Sequence, residues 1–282
     1  IETMESLVEI FCDDDTLQEE KAEIIEELMD YYNQGNCGLV DWMYESVMEL
    51  CSETSDYQIV INKLEARLPK ESFKSYYQGL LSDLYEIIGD TESQRKALEK
   101  NLQYGMDYWR LAKYWFGQGN EEKALKIVNE GLKKGEGRKV ELYEALQKHY
   151  QKQNDYDQIL ALFERKIAKN ELDGHQNFQH DSTYKCLWNF YSKQNNYEGK
   201  TKLLEMRLIN NDIDLDFYKE AEKTLHATDW QVFEPRIINN LKSHVQKQKQ
   251  MKPAWFPYGS PTEITVLAEI YFYKQDIEML FD

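Results

Sequence analysis

Three residues of the types that bind metals lie close together in the chain: His175, His180 and Cys186. A structural zinc site needs about four nitrogen or sulfur ligands that converge with tetrahedral geometry. The spacing of these three residues matches no established ligand pattern, and both histidines fall in the polar segment 170–182, which we interpret as a loop between helices. Surface histidines near a core thiol are the simpler interpretation, so we predict no metal site and no cofactor.

Carboxylates are numerous, as in Asp13–Asp15 and Glu19–Glu20, but nothing pairs them for acid–base catalysis. Two acids divide the roles of proton donor and acceptor only where their environments separate their pKa values, and solvated helix faces do not do this. The sequence also lacks the nucleotide-binding patterns G-x-G-x-x-G and G-x-x-x-x-G-K-[ST] and the hydrolase pattern G-x-S-x-G. We therefore predict that the chain is not an enzyme and has no catalytic residues.

A repeated pattern predicts the elements that would position any binding residues. A large aromatic residue ends one helix, a short polar turn follows, and Asn or Asp opens the next helix. Clear copies begin at Tyr85, Trp115, Tyr150, Tyr191 and Tyr271, and a weaker copy begins at Tyr31. The central copies are 30, 35 and 41 residues apart, and such periods are typical of helical-repeat proteins.

The composition of the turns explains why helices stop and restart there. Gly and Asn adopt the left-handed conformation that ends a helix at the lowest cost. The side chains of Asn120, Asp155 and Asn196 can accept hydrogen bonds from the first free N–H groups of the next helix. Helices such as 121–134 are amphipathic, so no hairpin can bury its apolar stripe without the hairpins before and after it. We predict an all-α fold, a right-handed α-α superhelix of roughly six or seven hairpins.

One stretch, residues 108–132, resembles a tetratricopeptide repeat (TPR). The matching positions are Tyr108, Leu111, Ala112 and Trp115 in the first helix, and Ala124, Val128 and Gly131 in the second. The closing Pro of that family is missing, and the copies around Tyr150 and Tyr191 are looser, so we describe the array as TPR-like. The resemblance implies a solenoid whose first helices line a concave groove that binds protein or peptide.

By this register, the first-helix positions that packing does not use would line the groove. They are Tyr76, Asp83, Met106, Trp109, Lys113, Phe116, Glu144, Lys148, Lys185 and Asn189. Trp109 and Phe116 fit packing against a neighbouring helix equally well. Lys185 and Asn189 lie one helical turn apart, like the pair that holds a peptide's terminal carboxylate in some TPR proteins. The other members of that clamp are not evident, so a chance match is the better interpretation.

A second resemblance concerns the overall pattern. An acidic helical start followed by segments 96–115, 121–146 and 267–280 looks like the C-terminal helical region of bacterial proteins with a SWIM zinc finger. Those proteins carry a C-x-C…C-x-H motif upstream, and no C-x-C occurs here. The resemblance implies that zinc and any nucleic-acid contact lie in a missing N-terminal part. Because the chain opens with Ile1 and stops inside an expected helix, we interpret it as a fragment of a larger protein.

The formal net charge of −17 is concentrated at one end of the chain. Residues 1–60 hold 17 acidic residues and one Lys, whereas the rest holds 34 acids and 33 bases. No basic stripe of the kind that binds phosphate backbones is present, so we predict no direct nucleic-acid contact. Solvated helix faces explain the acidic end best, and a docking surface for a basic partner is the alternative.

Two further features suggest where the chain works. No apolar run reaches the roughly 20 residues that a membrane span needs, so we predict no membrane contact. Four cysteines without a C-x-x-C pair fit a reducing, cytoplasmic setting.

Composition divides the chain into three predicted regions. Residues 1–70 form acidic, irregular N-terminal hairpins, 71–245 form the TPR-like repeats, and 246–282 form a Pro/aromatic loop and a truncated C-terminal hairpin. Pro253, Pro257 and Pro261 preclude a regular helix in the last region. The aromatic residues between these prolines, Trp255, Phe256 and Tyr258, either plug against the last helices, which we favour, or contact a partner.

The pattern as a whole favours a non-catalytic scaffold that binds protein or peptide, with basic segments as one class of partner. Shape complementarity on the concave face would provide the binding, and the acidic end would steer basic partners. The alternative is a structural spacer that positions a missing zinc-finger or catalytic domain. A helical enzyme is the third and weakest hypothesis.

Overall fold

The computed structural model describes residues 18–35, 40–68, 74–172, 178–250, 262–276 and 278–280. Within these ranges it contains 14 α-helices, two short 3₁₀ helices and no β-strand, which confirms the all-α prediction. The right-handed superhelical arrangement of the hairpins stays a prediction.

The chain divides into two compact units, Ile1–Leu146 and Gln147–Asp282, called unit 1 and unit 2 below. The region boundaries predicted at residues 70 and 245 stay predictions. Asp13–Asp15, His175 and the segment that holds Pro253, Pro257 and Pro261 lie outside the described residues.

The helices of unit 1 are α1 Gln18–Gln34, α2 Val40–Leu50, α3 Thr54–Arg67, α4 Lys74–Ile87, α5 Thr91–Glu99, α6 Gly105–Gly117 and α7 Glu121–Lys134. The next helix, α8 Val140–Gln153, spans the boundary between the units. Unit 2 contains α9 Tyr156–Lys169, the 3₁₀ helix Phe178–His180, α10 Ser182–Lys193, α11 Tyr197–Ile209, α12 Leu215–Thr224, α13 Ala227–Gln250, α14 Thr262–Lys274 and the 3₁₀ helix Glu278–Leu280.

The repeated turns have the geometry that their sequences predict. In each clear copy a backbone N–H donates to the carbonyl of the aromatic residue five positions earlier, at 2.9–3.0 Å. The aromatic acceptors are those of Tyr85, Trp115, Tyr150, Tyr191 and Tyr271. The residue before each donor has a positive φ: 75° at Gly89, 73° at Gly119, 56° at Asn154, 50° at Asn195 and 60° at Gln275. These bonds form the Schellman motif, which satisfies the last carbonyls of the first helix.

The following helices are capped as expected. The side chains of Asn120, Asp155 and Asn196 accept a hydrogen bond from the backbone N–H three residues later, at 3.1, 3.1 and 2.9 Å. Asp90 makes the same bond to Ser93 N at 3.0 Å. Each turn therefore ends one helix and starts the next with local interactions alone.

Within unit 1, α1 packs on α2 and α3, α4 on α5, and α6 on α7, and α4 also contacts α6. Within unit 2, α10 packs on α9 and α11, and α13 packs on α12 and α14. The apolar stripes form the cores. In unit 1 the core includes Ile25, Met29, Val47, Ile61 and Leu64 from the first three helices. In unit 2 one cluster centres on Phe163, Phe178 and Leu187, and another on Leu204, Phe217 and Ile237. This packing leaves polar clefts between the first helices of successive hairpins.

Candidate functional site

A polar cleft in unit 2 lies between α10 and α12. It has a volume of about 310 Å³. Its walls are Tyr184, Lys185, Trp188 and Asn189 from α10, Asp216 and Glu220 from α12, and Gln179 from the 3₁₀ helix between α9 and α10. Lys185 and Asn189 are two of the groove residues predicted from the sequence. Donors on one wall therefore face carboxylates on the other.

A buried ion pair holds the start of α10 in place. Lys166 Nζ on α9 lies 2.6 Å from Asp181 Oδ2, and both side chains are fully buried. Asp181 also caps α10, because its Oδ1 accepts the N–H groups of Thr183 and Tyr184 at 2.8 and 3.1 Å. Burying two charges costs free energy that a short, well-bonded pair recovers. The pair ties the first turn of α10, which carries Tyr184, to α9.

A second buried cation, Arg207 of α11, lies behind the Tyr184 ring. The Arg207 side chain is fully buried, and its Nε donates to Asp212 Oδ2 at 2.6 Å. Its Nη atoms lie 3.5 Å from Glu220 and 3.6 Å from Asp214. The guanidinium carbon is 5.8 Å from the centroid of the Tyr184 ring. One cation thus organises three carboxylates beside the cleft.

Two of these carboxyl groups, those of Asp212 and Glu220, have raised pKa values. Burial raises the pKa of Asp212 and of Glu220, and the Arg207 charge offsets only part of this effect. Burial also raises the pKa of the Tyr184 hydroxyl. Tyr184 Oη and both Nη atoms of Arg207 are buried without a hydrogen-bond partner among the described residues. The α10–α12 cleft therefore borders a buried cation, Arg207, that is paired with Glu220 and Asp214 and lies beside the Tyr184 ring.

Unit 1 contains two cavities between α4 and α6, and Arg110 lines both of them. The larger, about 540 Å³, is lined by Asp83, Lys113 and Phe116, which are predicted groove residues, and by Arg110. Burial raises the pKa of Asp83, with Arg110 opposing this rise. The smaller cavity, about 450 Å³, contains Tyr76, another predicted groove residue.

Two anchors hold α6 against α4. Asp107 Oδ2 accepts the N–H groups of Gln103 and Tyr104 at 3.1 and 2.8 Å, which fixes the start of α6. Ser75 Oγ of α4 donates to the other oxygen of the same carboxylate. These bonds bring the first turn of α6 to the first turn of α4, with Arg110 facing α4.

The ten predicted groove residues do not all meet at one place. Six of them line the cavities just described: Tyr76, Asp83, Lys113 and Phe116 in unit 1, and Lys185 and Asn189 in unit 2. Met106 and Trp109 are half-buried on α6. Glu144 and Lys148 lie on α8, and each has an interaction partner of its own.

Sequence reasoning missed the residues that give the clefts their charge: Arg110, Arg207, Asp216 and Glu220. Arg207 carried a detectable signal, because it interrupts an apolar helix face that contains the buried Leu203, Leu204 and Leu208. A cation in such a stripe indicates a buried ion pair. Arg110 carried no comparable signal, since its position depends on a helix distant in sequence.

The predicted thiol behaves as expected for a packed residue. Cys186 is half-buried, and Gln151 Nε2 lies 2.9 Å from its Sγ. His180 is exposed at the end of the 3₁₀ helix. Within the described ranges, no group of three or more His, Cys, Asp or Glu side chains is arranged to hold a metal ion.

Comparisons with family models, with curated proteins and with solved structures give no match for this chain. The resemblances to TPR and SWIM zinc-finger proteins therefore stay predictions. None of the described helices combines the length and apolar character required to cross a membrane.

Proposed function

We propose that the chain is a TPR-like scaffold that binds segments of partner proteins, without catalysis, in the clefts between the first helices of its hairpins. The observation that carries this proposal is the α10–α12 cleft, where hydrogen-bond donors on α10 face carboxylate acceptors on α12. Lys185 and Asn189 stand on the α10 wall, and Asp216 and Glu220 stand on the α12 wall.

This arrangement suits a peptide backbone, because each peptide unit carries one donor and one acceptor. The Asn189 amide can hydrogen-bond to both the N–H and the C=O group of a peptide unit. Trp188 provides an aromatic surface of the kind that contributes most binding energy at interfaces. The cleft lining contains neither a thiol nor an imidazole. Its charges can orient a bound segment by pairing with the charges of that segment.

The experiment is a binding screen with the full chain against an array of synthetic dodecapeptides of varied sequence, followed by fluorescence anisotropy with labelled hits. Asn189→Ala removes the amide from the α10–α12 cleft, and Asn239→Ala removes an exposed amide from α13 as the matched control. We expect a subset of hits to lose about tenfold in affinity with Asn189→Ala, as one hydrogen bond at an interface is worth roughly that much, and no change with the control.

A screen without hits, or hits that respond equally to both variants, would contradict the proposal. The chain would then be better explained as a spacer that positions another domain.

A further inference from the structure

The smaller α4–α6 cavity, called the basic cleft below, differs in charge from the rest of the molecule. Its lining residues are Lys74, Ser75, Tyr76, Asn101, Gln103, Tyr104 and Arg110. They include two cations, two amides and three hydroxyl groups, and no carboxylate. The side-chain chemistry of the basic cleft favours an anion.

The key group is the Arg110 guanidinium, which also lines the larger cavity with Asp83 and opposes the rise in the pKa of that carboxyl. It forms no hydrogen bond or ion pair within the described part of the chain. It lies flat on the backbone of α4 at Gly79, where a Cβ atom would be only 2.6 Å from its Cζ. A helix-interior Gly is unfavourable by itself. Here it gives Arg110 the space to lie beside α4, with its donors free.

The other cation and the walls complete the site. Lys74 is exposed at the first residue of α4. Two tyrosine side chains line the same cavity, Tyr76 with 47% and Tyr104 with 42% of its surface exposed. Large half-exposed aromatic rings provide apolar contact area with little loss of side-chain entropy. The cavity thus combines a cationic fork, a second cation and two aromatic walls.

We infer that the basic cleft binds an acidic side chain of a partner protein segment, with Arg110 as the bidentate donor to its oxyanion. This inference rests on the proposed scaffold function and names the ligand class of one of its clefts. The planar guanidinium matches carboxylate and phosphate oxygens alike, so Asp, Glu and phosphorylated residues share the necessary chemistry. A nucleic acid fits less well, because a polyanion needs a basic stripe along its backbone, whereas the lining of this cleft holds two cations.

The test uses the full chain and the same dodecapeptide array. Each hit that contains acidic residues is resynthesised in two forms, with the acids changed to their amides and with the acids changed to phosphoserine. Anisotropy titrations then compare the wild type with Arg110→Gln and Lys74→Gln. Arg138→Gln is the matched control, since it removes the charge of an exposed side chain that is paired with Glu141 and does not line the basic cleft. Circular dichroism checks that each variant is folded.

For a set of acidic peptides, we expect the amide replacements to lower the affinity by about tenfold or more, because a charge-assisted hydrogen bond is lost. Arg110→Gln should lower the affinity of the same peptides to a similar extent. Lys74→Gln should weaken binding less, and Arg138→Gln should leave it unchanged. Tighter binding of either the carboxylate or the phosphoserine form identifies the natural source of the anion.

Three outcomes would overturn the inference. The first is equal binding of the hits in acidic and amide form, and the second is an equal effect of Arg110→Gln and Arg138→Gln. The third is displacement of the peptides by a single-stranded oligonucleotide from the wild type but not from Arg110→Gln. If other hits respond to Asn189→Ala while none responds to Arg110→Gln, the scaffold proposal survives and this inference fails. If no peptide binds, both fail.

Discussion

Replacement of Gly79 by Ala would place a methyl group where the Arg110 guanidinium now lies. The new Cβ would be 2.6 Å from Arg110 Cζ, with Nη1 closer still. Carbon atoms in contact are roughly 3.5 Å apart, so the guanidinium must retreat by about 1 Å. It can do so, because it is the end of a flexible side chain that borders open cavities. The helix backbone is therefore expected to stay in place.

The substitution should have opposite effects on stability and binding. Ala in a helix interior is favoured over Gly by roughly 0.5–1 kcal/mol, and Arg110 loses no hydrogen bond when it moves. A gain of roughly 0.5–1 kcal/mol raises Tm by about 1–4 °C in a protein of 150–250 residues. A shift of about 1 Å takes a bidentate donor out of hydrogen-bond range, so affinity for acidic peptides should fall about tenfold.

Thermal unfolding followed by circular dichroism measures the first effect, and anisotropy with the acidic hits measures the second. Gly117→Ala is the control, because a Cβ at that position, the last residue of α6, meets no atom within 4 Å. It should stabilise the chain slightly and leave binding unchanged. A lower Tm for Gly79→Ala, or unchanged affinity for acidic peptides, would refute the role given to the contact between Gly79 and Arg110.

Two further predictions concern charges in the cores. Burial alone would raise the pKa of Asp56, but the hydrogen bond from Lys21 and two backbone N–H bonds outweigh it and lower the pKa. Such a group stabilises the fold above its unfolded pKa of about 3.9, and this contribution is lost as pH falls through the folded value. Asp56→Asn should therefore reduce the loss of unfolding free energy below about pH 4, measured by urea unfolding at a series of pH values. A variant that loses stability below that pH as steeply as the wild type would contradict this prediction. Arg207→Met should lower the free energy of unfolding by about 3–5 kcal/mol, because it leaves the Asp212 carboxylate without its cation. Arg236→Met, at an exposed pair, should lower it by less than about 1 kcal/mol. Equal costs in urea unfolding would contradict the distinction.

The local structure of this protein could be predicted from its sequence. The turn after each aromatic residue is closed by hydrogen bonds that span five residues, and the next helix is capped by one that spans three. All the atoms involved belong to one short segment, so residue type and order are enough to specify them. The pattern likewise predicted an amphipathic helix over 121–134, and α7 buries Ala124, Ile127 and Val128 on one face.

The clefts depended on contacts that no local pattern contains. Helical register assigns Lys113 or Lys185 to an exposed helix face, but it does not show which residues of another helix stand opposite. Arg110 meets Gly79 only because Asp107 and Ser75 bring α6 to α4. Arg207 meets the carboxylate of Glu220 only because α12 packs on α11. Charge pairing and cavity shape depend on distances between segments far apart in sequence, and only the tertiary packing of the helices sets those distances.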